Sequence, residues 1–339
     1  MAKIGIGING FGRIGRCTLK HLLKRDDVRV AGINDLADAS DLAYLLKYDS
    51  VHHWYPPKVG VTDREFLVDG QTIPFFSSKD PAQLPWKDVG ADVVLEASGA
   101  FRHRSQAAGH LLAGAKKVIL SAPGNEMDGT FVLGVNHETY DPARHHVVSM
   151  ASCTTNSLAP VAKVLHERFG VEHLMITTVH AYTSSQSLMD LPTRKRRRGR
   201  AAALSIVPTT TGAARATALV IPELKGRMDG IALRDPVPDG SVTDIVATLN
   251  ANVTCDEVND ALRDASMKPP LEGILRVSDE ALVSVDIIGD SHSAIVDAES
   301  TMVLRDKVVK VLVWYDNEWG YAARLADFAA YVGARGNGR

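Results

Sequence analysis

The chain has 339 residues and a net charge of −2. Its 23% charged and 45% hydrophobic residues exclude a disordered chain, a collagen-like fibre and a strongly basic nucleic-acid binder. At that length about two domains are expected, with a core large enough to need no staples. Cys17, Cys153 and Cys255 are odd in number and far apart, which excludes a disulfide framework. No metal is expected. With no apolar run long enough to span a bilayer, the expected location is a reducing cytoplasm rather than a membrane.

The first predicted strand, residues 3–8, runs straight into Asn9-Gly10-Phe11-Gly12-Arg13-Ile14-Gly15. This is G-x-G-x-x-G between a strand and a helix carrying Ile14, Cys17 and Leu22. Gly10 permits the turn, Gly12 lets a pyrophosphate approach the backbone, and Gly15 allows close helix–strand packing. A second strand, 28–33, leads to Asp35, 20 residues after Gly15. An acid there bonds the ribose hydroxyls of NAD and repels a 2′-phosphate. Further β/α units follow at 92–99 and 117–124, with a helix between them reaching Ala115. Their C-terminal ends carry Ser98, Gly99 and Ser121, small enough for a dinucleotide to lie across the sheet edge.

The central stretch is Ser149-Met150-Ala151-Ser152-Cys153-Thr154-Thr155-Asn156. Leu158, Val161, Leu165 and Phe169 then mark one apolar helical face, which Gly170 ends. Cys153 thus falls in the first helical turn, where free N–H groups and the helix dipole favour a thiolate and draw its pKa down. His180, 27 residues later, ends the predicted strand 175–179 and is the candidate base for that nucleophile. The pair alone suits a hydrolase, an acyltransferase or an aldehyde dehydrogenase.

Beyond residue 170, strands are expected at 174–179, 229–235, 242–250, 282–288 and 308–314. Their alternation and long connections predict a largely antiparallel sheet. Leu325, Phe328 and Val332 have helical spacing and are expected to pack back on the first domain. Arg194-Lys195-Arg196-Arg197-Arg198-Gly199-Arg200 places six cations in seven residues. It reads as a solvated loop or a phosphate site; without interleaved aromatics, nucleic acid ranks last.

Five motifs carry a family resemblance. Residues 9–16, Ala151-Ser152-Cys153-Thr154-Thr155-Asn156, His180-Ala181-Tyr182-Thr183, Thr210-Thr211-Gly212-Ala213-Ala214 and Trp314-Tyr315-Asp316-Asn317-Glu318-Trp319-Gly320-Tyr321 resemble phosphorylating glyceraldehyde-3-phosphate dehydrogenase, in that family's order and spacing. The resemblance implies an α/β chain with a Rossmann domain, 1–152, and an α+β catalytic domain, 153–316. A C-terminal helix, 317–339, would return to the first domain. It implies a homotetramer, NAD as cofactor, and glyceraldehyde 3-phosphate with inorganic phosphate as reactants. Cys153 matches the nucleophile that forms a thioester, and His180 the base. Asn317 and Tyr321 match residues on the cofactor side. Thr183 and Arg234 match the site for the substrate's phosphate. Ser152, Thr154, Thr211, Gly212 and Arg198 match that for the attacking phosphate. Leu191-Pro192 matches a pair associated with NAD.

Met150, Ser185, Lys195, Ser157, His52-His53-Trp54 and the acidic stretch Asp235–Asp239 depart from the family's pattern. The alternatives are an erythrose-4-phosphate dehydrogenase, a non-catalytic nucleotide- or RNA-binding protein on the same scaffold, and a thiol hydrolase.

Overall fold

The computed structural model describes residues 2–62 and 64–336. The predicted terminal helix extends over 337–339, which lie outside the described residues. The chain divides into two compact units. One comprises Met1–Phe131, Glu138–Ala151 and Ala322–Arg339; the other comprises Val132–His137 and Ser152–Tyr321.

In the first unit, β1 (Ile4–Asn9), α1 (Arg13–Leu22) and β2 (Val28–Asn34) make a βαβ start with parallel strands. After α2 (Ala39–Lys47) come a small hairpin, β3 (Tyr48–Asp49) with β4 (His53–Trp54), and then β5 (Val59–Val61), β6 (Glu65–Val68) and β7 (Gln71–Phe76). The remaining units are β8 (Val93–Glu96), α3 (Arg104–Ala107), α4 (Gly109–Leu112), β9 (Lys117–Leu120), β10 (Gly129–Thr130) and β11 (Val147–Ser149). The sheet order is β10-β11-β9-β8-β1-β2-β7-β6-β5, parallel from β10 to β7 and antiparallel at β6 and β5. Chain order reverses between β1 and β8, the switch point where open α/β sheets bind ligands. The apolar runs of β1, β8 and β9 are buried throughout, as in strands covered on both faces. The single helix expected to reach Ala115 is instead two turns broken at Ala108. A Cβ at Gly109 would lie 3.1 Å from the Pro81 ring, so the helix rests there with no side chain between.

The second unit is built on α5 (Cys153–Phe169), whose apolar face joins an extended buried cluster, with Leu158, Val161 and Leu165 fully enclosed. Gly170 ends it at φ 69°, a conformation glycine adopts without steric cost. Then come β12 (Val171–Ala181), β13 (Val207–Thr210), α6 (Ala213–Val220), β14 (Met228–Asp235), β15 (Ser241–Leu249), α7 (Cys255–Ser266), β16 (Leu275–Ser278), β17 (Ala294–Leu304) and β18 (Val308–Tyr315). The sheet order is β13-β14-β12-β15-β18-β17-β16; only the β12–β14 and β16–β17 pairs are parallel. The largely antiparallel second sheet is therefore present.

One expected strand is absent: within 282–288 the chain makes a single 3₁₀ turn, Ser284–Ile287. Asp286 Oδ2 accepts from Val283 N–H at 2.9 Å, and Val283 and Val285 stay exposed, so the apolar run gains no ladder. Residue pattern missed three strands of this sheet: the short β13 and β16, and the long β17, whose register shifts between Asp297 and Met302 and breaks the alternation. From Ala322 onward α8 (Trp319–Gly336) belongs to the first unit. There Leu325, Phe328 and Val332 are buried, and a Cβ on Gly333 would lie 2.4 Å from Ile4.

Candidate active site

The glycine turn in the first unit has the geometry a dinucleotide needs. Gly10 sits at φ 96°, and a Cβ there would lie 2.3 Å from the Ser98 nitrogen. A Cβ on Gly15 would lie 2.2 Å from the Gly10 oxygen, so α1 approaches the turn as closely as backbone allows. At Gly12 a Cβ would meet nothing within 4 Å, and Gly12 is an N-cap with no side-chain hydrogen bond. The first N–H groups of α1 thus face open space large enough for a phosphate. These features fit NAD.

Asp35 fastens the turn as well as following it: Oδ2 accepts from Phe11 N–H at 2.6 Å and Oδ1 from Ala37 N–H at 2.9 Å. Phe11 itself is core, edge-on to Phe66, and Arg13 is held by Asp49 at 2.9 Å, so both serve the turn from outside it. Ile14 lies in the first turn of α1, while Ser98, Gly99 and Ser121 follow the ends of β8 and β9 at the same sheet edge. The Asn9 amide is buried and turned inward to Glu96 and Asn34.

In the second unit the N-cap Ser152 accepts from Thr155 N–H at 3.1 Å, which fixes Cys153 as the first residue of α5. His180 comes from the end of β12, and its Nε2 lies 3.4 Å from Cys153 Sγ. Parallel pairing puts Arg234 of β14 opposite His180. Arg234 Nη1 lies 2.7 Å from His180 Nδ1 and 2.9 Å from Ala181 O, while Nδ1 also lies 2.7 Å from Ala181 O. A guanidinium only donates, so the ring has two alternative states. With its proton on Nδ1, it donates to Ala181 O and leaves Nε2 to accept from the thiol. With its proton on Nε2, Nδ1 accepts from Arg234.

The expected depression of the Cys153 pKa is not what the surroundings produce. Burial pushes the thiol up to about 11, against the pull of Arg234 and of hydrogen bonds from Thr154. Burial, then Arg234, pushes His180 down to about 3. Desolvation of each charged form outweighs the helix N-terminus, so the resting pair is a thiol and a neutral imidazole.

Around this pair the charge is positive. The hydrogen bonds of Arg198 run to Thr209 and Ser185 hydroxyls at 3.1 Å, and Ser185 is bonded to Thr183 at 2.8 Å. Lys195 donates to Thr210 at 2.9 Å. Burial and the Arg198 charge both lower Arg234, and its Nε is buried without a hydrogen-bond partner. Among the described residues, none of these hydrogen bonds reaches a carboxylate. Thr211 caps α6 by accepting from Ala213 N–H, and Gly212, where a Cβ would meet nothing, leaves the helix start open.

Three contributors were not foreseen. The Tyr315 hydroxyl bonds Thr154 at 2.9 Å and Thr178 at 2.8 Å, and its ring stands edge-on to His180 with centroids 6.0 Å apart. Ser241 donates to Asn317 Oδ1 at 2.6 Å and accepts from Ala181 N–H, orienting the Asn317 amide. Asp239 is buried, and burial with Asp316 nearby raises its carboxyl to about 9. It is this acid, rather than Asp235, that pushes the Cys153 thiol upward. Tyr315 lay inside a recognised motif; the other two needed the register of β15 to be seen. Tyr321 is buried at the start of α8.

A doubly wound unit with an open glycine turn, in one chain with an α+β unit that holds a thiol–imidazole pair among cations, is the make-up of a dinucleotide-dependent oxidoreductase. Residues 4–104 match the family model described as glyceraldehyde 3-phosphate dehydrogenase, NAD binding domain, and residues 152–317 match its C-terminal domain. The chain is 54% identical to the glyceraldehyde-3-phosphate dehydrogenase of Geobacillus stearothermophilus over 98% of this chain and 99% of that one. It is 52% identical to glyceraldehyde-3-phosphate dehydrogenase 1 of Bacillus subtilis over the same shares, and 51% to the Streptomyces coelicolor enzyme over 97% and 98%. The chain belongs to the glyceraldehyde 3-phosphate dehydrogenase family.

Proposed function

We propose that the protein oxidises and phosphorylates D-glyceraldehyde 3-phosphate to 1,3-bisphosphoglycerate with NAD, through a thioester on Cys153. The observation that carries this reading is the half-buried Arg234 guanidinium, whose Nε is enclosed. It touches the other face of the same imidazole that meets Cys153, with one donor unpartnered and no carboxylate to answer it. A buried donor of that kind calls for an acceptor, and a substrate phosphate supplies one.

Sγ attacks the aldehyde carbon as its proton passes to His180 Nε2, and the imidazolium hands that proton on to the new oxyanion, giving a hemithioacetal. His180, neutral again, then removes the hydroxyl proton as hydride leaves, and later returns it to Sγ. NAD, when bound, supplies the acceptor for the hydride leaving that carbon. Inorganic phosphate attacks the resulting thioester, the acyl phosphate leaves, and Sγ regains a proton. Arg234 and Thr183 hold the phosphate already on the substrate. Arg198, Thr211, Gly212, Ser152 and Thr154 serve the attacking one. A substrate phosphate drawing Arg234 off Nδ1 favours the tautomer in which Nε2 accepts, so binding would switch the base on.

On the cofactor side, Asn9 to Gly15 and Ser98, Gly99 and Ser121 form the cradle, Asp35 holds the ribose, and Asn317 and Tyr321 serve the nicotinamide end. The nucleotide-binding domain is residues 1–152 with the terminal helix, and the catalytic domain 153–316. A cytoplasmic homotetramer completes the reading. Among the described residues no helix is long and apolar enough to cross a membrane.

Initial rates with glyceraldehyde 3-phosphate and erythrose 4-phosphate, each with and without inorganic phosphate and with NAD or NADP, test this. Rates that need phosphate and favour the three-carbon aldehyde and NAD are expected. Phosphate-independent release of acid would sink the reading.

A further inference from the structure

At the switch point of the first sheet a buried polar row crosses three strands, β8, β1 and β2. Register places Asn9 of β1 beside Glu96 of β8 and beside Asn34 of β2. Glu96 Oε2 accepts from Asn9 Nδ2 at 2.5 Å and lies 3.0 Å from His110 Nε2. Glu96 Oε1 accepts from the Ser98 N–H at 2.9 Å and the Ser98 hydroxyl at 2.5 Å. Behind His110, the Trp86 indole N–H donates to Nδ1 at 2.9 Å. On the far side Asn34 Nδ2 donates to Asn9 Oδ1 at 2.7 Å, and Asn34 Oδ1 accepts from Ser78 N–H at 2.9 Å. Glu96, His110 and Trp86 are fully enclosed. Trp86 fits because its ring lies against Gly7, where a Cβ would come within 2.8 Å.

One group sets the direction of every bond in the row. An indole N–H can only donate, so His110 Nδ1 must accept and the ring proton must sit on Nε2. Nε2–H therefore donates to Glu96, whose two oxygens receive four donors. The Asn9 amide is then forced to present its NH₂ to Glu96 and its oxygen to Asn34, which in turn fixes the Asn34 amide. A buried carboxylate is costly wherever it only fills space, and this one ties together the two chain segments that bracket Gly10.

We propose that Glu96, oriented by His110 and Trp86, is a positioning residue of the cofactor cradle. It clamps the Asn9–Gly10 turn against Ser98 and thereby sets NAD affinity without entering the chemistry. This rests on the assignment of NAD to that turn.

The test is calorimetric NAD binding to the full-length protein freed of nucleotide, read beside steady-state rates, thermal melting and Cys153 alkylation. His110→Phe keeps an aromatic ring, a larger one, and removes both bonds. Glu96→Gln turns an amide NH₂ towards donors. Each is expected to raise the NAD Kd and KM about tenfold or more, which corresponds to ~1.4 kcal/mol. The kcat, the aldehyde KM and the alkylation rate should stay within about threefold.

His110→Gln offers an oxygen to Trp86 and an N–H to Glu96, so it should restore the Kd to within about threefold of wild type. A folded His110→Phe or Glu96→Gln that binds NAD like the wild type would overturn the proposal. So would a His110→Gln as weak as His110→Phe. If both deleting variants fail to fold, Trp86→Phe decides, since it removes the indole donor while leaving His110 and Glu96 in place: a weaker Kd in a variant that melts as a folded protein supports the role and an unchanged one overturns it. Failure of the wild type itself to bind NAD would refute the cofactor assignment, a separate outcome.

Discussion

The first unit and the thiol–imidazole site of the second treat charge in opposite ways, although away from that site the second unit has ion pairs too, such as Arg276 with Asp290 at 2.9 Å. In the first, cations and anions are answered within the fold. Arg13 meets Asp49 at 2.9 Å, Arg25 meets Asp327 at 2.6 Å, and Glu96 holds four donors. In the second, Arg234, Arg198 and Lys195 repel one another and bond only neutral groups, while burial keeps Cys153 and His180 uncharged. A binding surface for a large cofactor is most precise when finished in advance. A site that must accept two phosphates keeps its positive charge open until they arrive. The consequence is that mutations in the second unit should damage chemistry, and those in the first should damage affinity.

The strongest break would come at the nucleophile. Cys153→Ser is expected to lower kcat by at least about 10⁴-fold while NAD binding by calorimetry is unchanged. Residual turnover near wild type would remove Cys153 from the mechanism. His180→Asn should lower kcat by roughly 10²–10⁴-fold, the usual range for a lost general base. The neutral resting pair adds a pH signature. With the thiol pushed up to about 11, the thiolate fraction in protein free of cofactor and substrate grows with rising pH. Iodoacetamide should therefore alkylate Cys153 about tenfold faster per pH unit between roughly pH 7 and 10. A plateau near pH 7 would instead mean that a thiolate–imidazolium pair already exists at rest.

Next in size is the open positive charge. Arg234→Ala is expected to lose about 1.5–3 kcal/mol of charged hydrogen bonding, or roughly ten- to a hundredfold in kcat/KM for the phosphorylated aldehyde. The comparison sharpens if an unphosphorylated aldehyde loses much less. On the first unit, Asp35→Ala should narrow the preference for NAD over NADP by relieving repulsion of the 2′-phosphate. Because Asp35 also receives the Phe11 N–H, NAD affinity itself should fall. Equal kcat/KM for both cofactors in the wild type would contradict the role given to Asp35.

What was legible in the sequence is what local spacing encodes. The glycine turn, Asp35, the helix behind Cys153 and the strand ending at His180 all stand where residue pattern put them, because each is set by neighbours a few positions away. The β17 strand was hidden by its bulge, and 282–288 misled because an apolar run says nothing about whether a partner strand is present. The state of Cys153 was misjudged because a helix N-terminus is visible in sequence while desolvation is not. The Glu96–His110–Trp86 row and the Ser241–Asn317 bond depend on register and on contacts between distant segments. No spacing rule relates those residues.

The smallest expected effect separates two neighbouring acids. Residues adjacent on a strand face opposite ways, and Arg234 points to His180, so Asp235 faces away and Asp235→Val should change KM little. Asp239 is different, being buried and felt by the Cys153 thiol. Since its carboxyl is raised to about 9, it is neutral at pH 7, where Asp239→Asn should alter alkylation of Cys153 by less than about twofold. Above that pH the wild-type carboxyl ionises and opposes formation of a second negative charge beside it. The asparagine variant escapes this opposition, so at pH 10 its Cys153 should alkylate a few-fold faster than the wild type's. Equal rates at both pH values would show that Asp239 does not act on the thiol. A large difference already at pH 7 would show that it is ionised at rest, and that some of the positive charge in the second unit is answered from within after all.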